Sequence, residues 1–153
     1  MSAAGYLCLC ALAALAPLPA GQDGSRAEYT GGTLAALTSG AEGRVSTVNE
    51  LNFEFRTRQA MIRIPYERIN LLEYGQNVSR RYALAILISP VLILSKKRAH
   101  FLTIGYSDGE GRQQAMVLRL DKSGVRVVLA SLEARTGRKV EYQDEEARKA
   151  GKG

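Results

Sequence analysis

Thiol chemistry is almost missing from this chain. Its two cysteines, Cys8 and Cys10, both stand within the first ten residues. If the N-terminal stretch is a removable leader, the mature protein has no disulfide, thiolate nucleophile or cysteine metal ligand. Histidine occurs once, at His100, and tryptophan not at all. One imidazole rules out a two-histidine metal site and leaves a Ser-His-Asp triad a single residue to be built on. Carboxylates are absent between Tyr74 and Ser107, whereas Arg80, Arg81, Lys96, Lys97 and Arg98 fall in that interval. Those five cations account for nearly all of the formal net charge of +6.

Charge is also absent from Ser2 to Ala20, where Ala, Leu and Cys dominate and Leu18-Pro19-Ala20 offers a small residue for cleavage. Residues 1–20 therefore read as a signal peptide, although no Lys or Arg precedes the apolar run. The run is shorter than the ~20 apolar residues a bilayer span needs, which disfavours an uncleaved anchor. Leu7 and Leu9 precede the two cysteines where a lipoprotein would have a small residue. The expected location is outside the cytosol: periplasm, cell envelope or extracellular space.

Past the leader the chain carries a succession of short β signals. Residues 21–30 are polar and glycine-bearing and read as a linker. Thr33 to Thr38 and Gly43 to Val48 are β-compatible pieces around a Ser39–Gly43 turn. Leu51, Phe53 and Phe55 alternate with Asn52, Glu54 and Arg56, which places them on one face of a strand. Met61 to Ile64 continues the pattern, Pro65 breaks it, and Ile69 to Tyr74 resumes it. His100 to Tyr106 and Gln114 to Leu120 flank Asp108-Gly109, a hairpin signal, with Met116, Leu118 and Leu120 on one face. Val125, Val128, Leu129 and Leu132 then recur at helical spacing between a capping Ser123 and a terminating Gly137. Residues 143–153 are charged and read as a disordered tail.

These elements predict an α+β, mainly antiparallel β domain over residues 31–142. It would be a bent sheet or partly open barrel of six or seven strands closed by a C-terminal helix, with an extra apolar insert before the last hairpin. The order resembles the pleckstrin-homology-like fold and its GRAM-type relatives. The resemblance is carried by Leu51-Asn52-Phe53-Glu54-Phe55, Ile64-Pro65-Tyr66-Glu67-Arg68-Ile69, His100-Phe101-Leu102-Thr103-Ile104 and the last helix. Lys96 to Ile104 and Leu132 to Gly137 are similar to segments of uncharacterised exported bacterial proteins. Phosphoinositide-binding members of the family carry spaced basic residues in and after the first hairpin loop. Here that loop holds Glu42 and only Arg44, and Arg56 and Arg58 fall at a later turn, so that ligand is not carried over.

The insert itself runs from Tyr82 to Leu94 without a charge, between Arg80-Arg81 and Lys96-Lys97-Arg98. Being apolar all round, it does not suit a surface helix, and Pro90 interrupts any helix there. Two readings stay open: it packs against the domain's own sheet, or it dips into one leaflet while the cations meet anionic headgroups. The second makes Arg80, Arg81, Ile86, Leu87, Ile88, Leu92, Ile93, Lys96, Lys97 and Arg98 a membrane or partner site. Asn77-Val78-Ser79 matches a glycosylation acceptor, a short pattern that arises often by chance.

No catalytic, metal or cofactor pattern stands out, and a nucleic-acid partner is disfavoured because aliphatic residues lie where stacking aromatics would be wanted. His100 reads as a strand-end residue satisfied by a local hydrogen bond. The expected function is an exported non-catalytic binding or scaffolding module, its partner a protein or an anionic membrane surface, with no cofactor and no metal. A cryptic hydrolase using His100 and a purely structural envelope protein are the alternatives.

Overall fold

The computed structural model describes residues 24–76 and 99–152. Within them, eight strands form one sheet: β1 (Ser25–Gly32), β2 (Ala41–Ser46), β3 (Asn52–Thr57), β4 (Met61–Pro65), β5 (Ile69–Gly75), β6 (His100–Ser107), β7 (Gln113–Leu120) and β8 (Glu141–Tyr142). A 3-10 turn, Tyr66–Arg68, links β4 to β5, and two helices, α1 (Val125–Thr136) and α2 (Glu145–Lys152), lie on either side of β8. The strand order is β4-β3-β2-β1-β7-β6-β5-β8, with β4 and β8 at the open edges. Neighbours pair antiparallel except β5 and β8, which run parallel through Glu73↔Glu141 and Tyr74↔Tyr142. The architecture is α+β with a mixed, open sheet.

Alternation decides which side chains face the core. Tyr29, Val45, Phe53, Phe55, Ile64, Leu72, Tyr74, Leu102, Ile104, Met116 and Leu118 are nearly fully enclosed and belong to one cluster. α1 closes it with Val125, Val128, Leu129 and Leu132, the four positions its 3.6-residue spacing selects. Each such side chain contributes about 1.5–3 kcal/mol on burial. β6 and β7 bury both faces, since Phe101, Thr103 and Val117 on the opposite side are enclosed as well.

Several expectations are corrected. The linker reading of residues 21–30 fails because β1 starts at Ser25; its inward residues, Ala27 and Tyr29, are embedded among polar ones that disguise the alternation. Thr33 to Thr38 is a connection, not a strand. Leu51 does not share the buried face of Phe53 and Phe55: it precedes β3 and is 75% exposed. The helix N-cap is Gly124 and not Ser123, whose hydroxyl instead donates to Asp121 Oδ2 at 3.2 Å. Gly124 passes so close to β1 that an added Cβ would lie 2.2 Å from Ser25 Oγ, which explains a glycine there. The helix ends as expected at Gly137, left-handed at φ 68°.

The tail is the largest correction. Residues 145–152, read as disordered from their charge, form α2, with Asp144 Oδ1 accepting the Ala147 amide at 2.6 Å. Ala147 is fully enclosed, and Gly151 lies where a Cβ would meet the Tyr142 ring at 2.6 Å. Two small residues let a polar helix approach the core closely, so its apolar signal is too weak to read from composition. Among the described residues two helices, not one, follow the main strands, and β8 raises the strand number to eight.

Candidate anionic-ligand groove

Hairpin register puts like charges opposite one another on the face of the sheet away from the core. Arg26 of β1 pairs with Arg44 of β2, and Arg44 pairs with Arg56 of β3. The row continues onto the turn after β7, where the Asp121 amide donates to the Arg26 carbonyl at 3.0 Å. Adjacent strands lie ~4.8 Å apart, so three guanidinium-bearing residues stand side by side across about 10 Å. Opposed like charges disfavour a ladder where nothing offsets them, and here Glu28, Glu42 and Asp121 stand beside the row. One step along the strands a second row carries Arg119, Glu28 and Glu42, and Arg119 forms an ion pair with Glu28.

These residues line an open groove of about 840 Å³. Its walls carry Arg26, Arg44, Arg56, Arg58, Arg119 and Lys122 against Glu28, Glu42 and Asp121, a net charge of +3 with the imidazole neutral. Arg26, Arg56, Arg58 and Lys122 are exposed. Among the described lining residues, none carries a Phe, Tyr or Trp ring. A groove of this kind can hold anions through charge-assisted hydrogen bonds, and Arg offers each oxygen pair a bidentate fork.

His100 borders the groove at the start of β6, but its ring shares the side of Leu102 and Ile104. It stacks on Tyr74 with ring planes 8° apart, and Nδ1 sits 2.5 Å from the Tyr74 hydroxyl. Burial first, and the Tyr142 phenol second, push Tyr74 up to about 12, so its hydroxyl keeps its proton and shares a hydrogen bond with Nδ1 whose direction follows the imidazole tautomer. Burial, then the Lys122 cation, lower the His100 pKa, while Asp121 pulls it up. The hydrogen bond expected for His100 is present, though its partner is distant in sequence and not local. No carboxylate or nucleophile completes a triad around this ring in the hydrogen bonds of the described residues. Likewise, no group of three or more His, Cys, Asp or Glu among the described residues could hold a metal ion.

All ten residues named from the sequence as a membrane or partner site, Arg80, Arg81, Ile86, Leu87, Ile88, Leu92, Ile93, Lys96, Lys97 and Arg98, lie outside the described residues. So do the leader and the Asn77 sequon. The described chain resumes at Ala99, on the groove wall and one residue after Arg98. No helix among the described residues is long and apolar enough to cross a membrane. Sequence reasoning weighed Arg44, Arg56 and Arg58 one by one and passed over Arg26. The missed signal was the β1–β2 and β2–β3 register, which makes a row of residues 18 and 12 positions apart. A comparison with protein-family models finds no match, and none of the curated proteins matches the chain.

Proposed function

We propose that this protein is an exported, non-catalytic binding module of pleckstrin-homology-like architecture that docks on an anionic membrane surface through the arginine groove. The observation that carries the reading is the groove itself, whose lining gathers Arg26, Arg44, Arg56, Arg58, Arg119 and Lys122 at a net charge of +3. The architectural part draws support from two antiparallel meanders, β1–β4 and β5–β7, joined through β1 and β7 and followed by α1.

Co-sedimentation of the full chain tests this, with neutral phosphatidylcholine vesicles as the control for binding through the apolar leader. Adding phosphatidylglycerol should raise binding, and raising salt should reverse the gain. The double reversal Arg26→Glu, Arg56→Glu should weaken the gain on the order of tenfold or more, at roughly 1 kcal/mol per basic residue. Equal binding to neutral and anionic vesicles would reject the reading.

A further inference from the structure

The groove lies toward the β3–β4 end of the β2–β3 hairpin, and the connection at the other end, residues 47–51, has a different character. Among the described residues four large apolar side chains are exposed, and two of them, Val48 at 67% and Leu51 at 75%, stand on this one loop. Apolar residues exposed singly are ordinary, but a pair on one tip is a candidate contact. What sets the loop apart is its backbone. The Val48 amide donates to Ser46 Oγ at 3.4 Å, and the Val48 carbonyl accepts the Arg135 guanidinium at 3.4 Å. The Leu51 amide donates to Asn49 Oδ1 at 2.9 Å, an oxygen that also accepts the Asn52 amide at 2.9 Å, and the Leu51 carbonyl accepts the Tyr66 amide at 3.0 Å. Both apolar residues thus have amide and carbonyl satisfied by protein atoms. Water would serve an exposed loop without that provision, whereas a water-poor medium leaves any unpaired backbone group at a high cost. This loop keeps its hydrogen bonds where solvent is excluded.

The base of the loop is cationic. Arg135 also lies over the Tyr66 ring, and Arg138 donates through Nε to the Ile69 carbonyl at 2.6 Å, just past the 3-10 turn that holds Leu51. Arg135, Arg138 and Lys139 are exposed, and no carboxylate stands between Glu133 and Glu141. Glu67 and Arg68 of the 3-10 turn offset each other, and Glu133 is engaged by the Val140 amide at 2.8 Å. Glu50 is the one charge on the loop itself, and the cost of carrying a carboxylate into hydrocarbon limits the tip to the headgroup boundary. At that depth cations at the base meet lipid phosphates.

We propose that Val48 and Leu51 form an insertion tip that enters the headgroup–acyl boundary of an anionic bilayer, with Arg135, Arg138 and Lys139 facing the phosphates around it. The inference rests on the reading that the protein docks on a membrane, and adds to it a shallow apolar contact separate from the arginine groove.

The chain has no tryptophan, so Leu51→Trp in the full chain places a single indole reporter on the tip. Leu51 is mostly exposed, so the melting temperature should not change, and Val48→Trp supplies a second reporter. On vesicles of phosphatidylcholine and phosphatidylglycerol, emission from either variant should shift to the blue. Lipids brominated high on the acyl chain should quench it more than lipids brominated near the chain end. Val127→Trp, on the exposed side of α1, should show no shift. Leu51→Asp should weaken binding to the same vesicles about tenfold. Unshifted emission from both tip reporters, in chains that still bind anionic vesicles reversibly with salt, overturns the insertion tip and leaves docking through the groove standing. A blue shift that survives Arg26→Glu, Arg56→Glu supports the tip and rejects the groove. A shift that needs no vesicles and grows with protein concentration identifies a second copy as the occupant and overturns the membrane tip. Failure to bind anionic vesicles overturns both.

Discussion

Tyr74 and His100 form a polar joint at the rim of an otherwise apolar core, and its proton inventory has a measurable consequence. The His100 pKa is lowered in the folded chain, chiefly by burial, so between that value and the unfolded value near 6.5 the unfolded state binds more protons. Stability contributed by the neutral ring is therefore complete above about pH 6.5 and declines as pH falls through the window below it. Thermal unfolding followed from pH 7.5 to 5 should show this decline in the native protein and a flatter profile in His100→Asn. A slope left unchanged by the substitution would assign the effect to other groups. Nothing in the sequence near His100 discloses Tyr74, because β5 and β6 bring them together over 26 positions. Gly43 makes the same point on the groove side: its absent Cβ would lie 2.4 Å from the Arg56 carbonyl oxygen, a constraint set by β3 alone.

Elements differ in how much of their own burial they announce. α1 presents four apolar residues on one stripe, and its place in the core follows from that stripe. Leu132 is fully enclosed, so Leu132→Ala should cost about 2–5 kcal/mol by leaving a cavity under the helix, read as a shift in urea midpoint at unchanged slope. The β6–β7 hairpin was equally legible, and the structure adds a reason for its tight turn. Asp108 accepts the amides of Glu110 and Arg112 at 2.9 Å, and the Arg112 guanidinium, with these bonds and that of Gln114, holds its carboxyl down at about 2. β1 and α2 announce little. Their buried positions are Ala27, Tyr29, Thr30, Gly31, Ala147 and Gly151, mostly small or polar residues that give no hydrophobic signal.

At the scale of the whole molecule, the proposed docking can be separated from stability. Reversing the outer members of the arginine row in Arg26→Glu, Arg56→Glu sets a carboxylate on each side of Arg44, each pair worth roughly 0.2–1 kcal/mol, and sets the carboxylate at position 26 against Asp121 by a similar amount. These contributions offset, so the variant should melt close to the native temperature while losing anionic-vesicle binding. A lower melting temperature would mean the row serves the fold and not a ligand. Charge along the sequence pointed to Arg80, Arg81 and Lys96–Arg98, because runs are visible in one dimension. The groove's cations are spread over β1, β2, β3 and β7, so no window contained more than a pair of them.

By itself the chain's order of residues determined the mainly antiparallel β composition, the β6–β7 hairpin and the buried stripe of α1. Each of these is a periodic or turn-coded pattern that neighbouring residues specify among themselves. Tertiary structure alone decided that Ser25–Gly32 lies at the middle of the sheet, that a polar helix packs onto the core, and that three separate arginines share one row. Strand register makes those arrangements, and register is a relation between segments far apart in the chain.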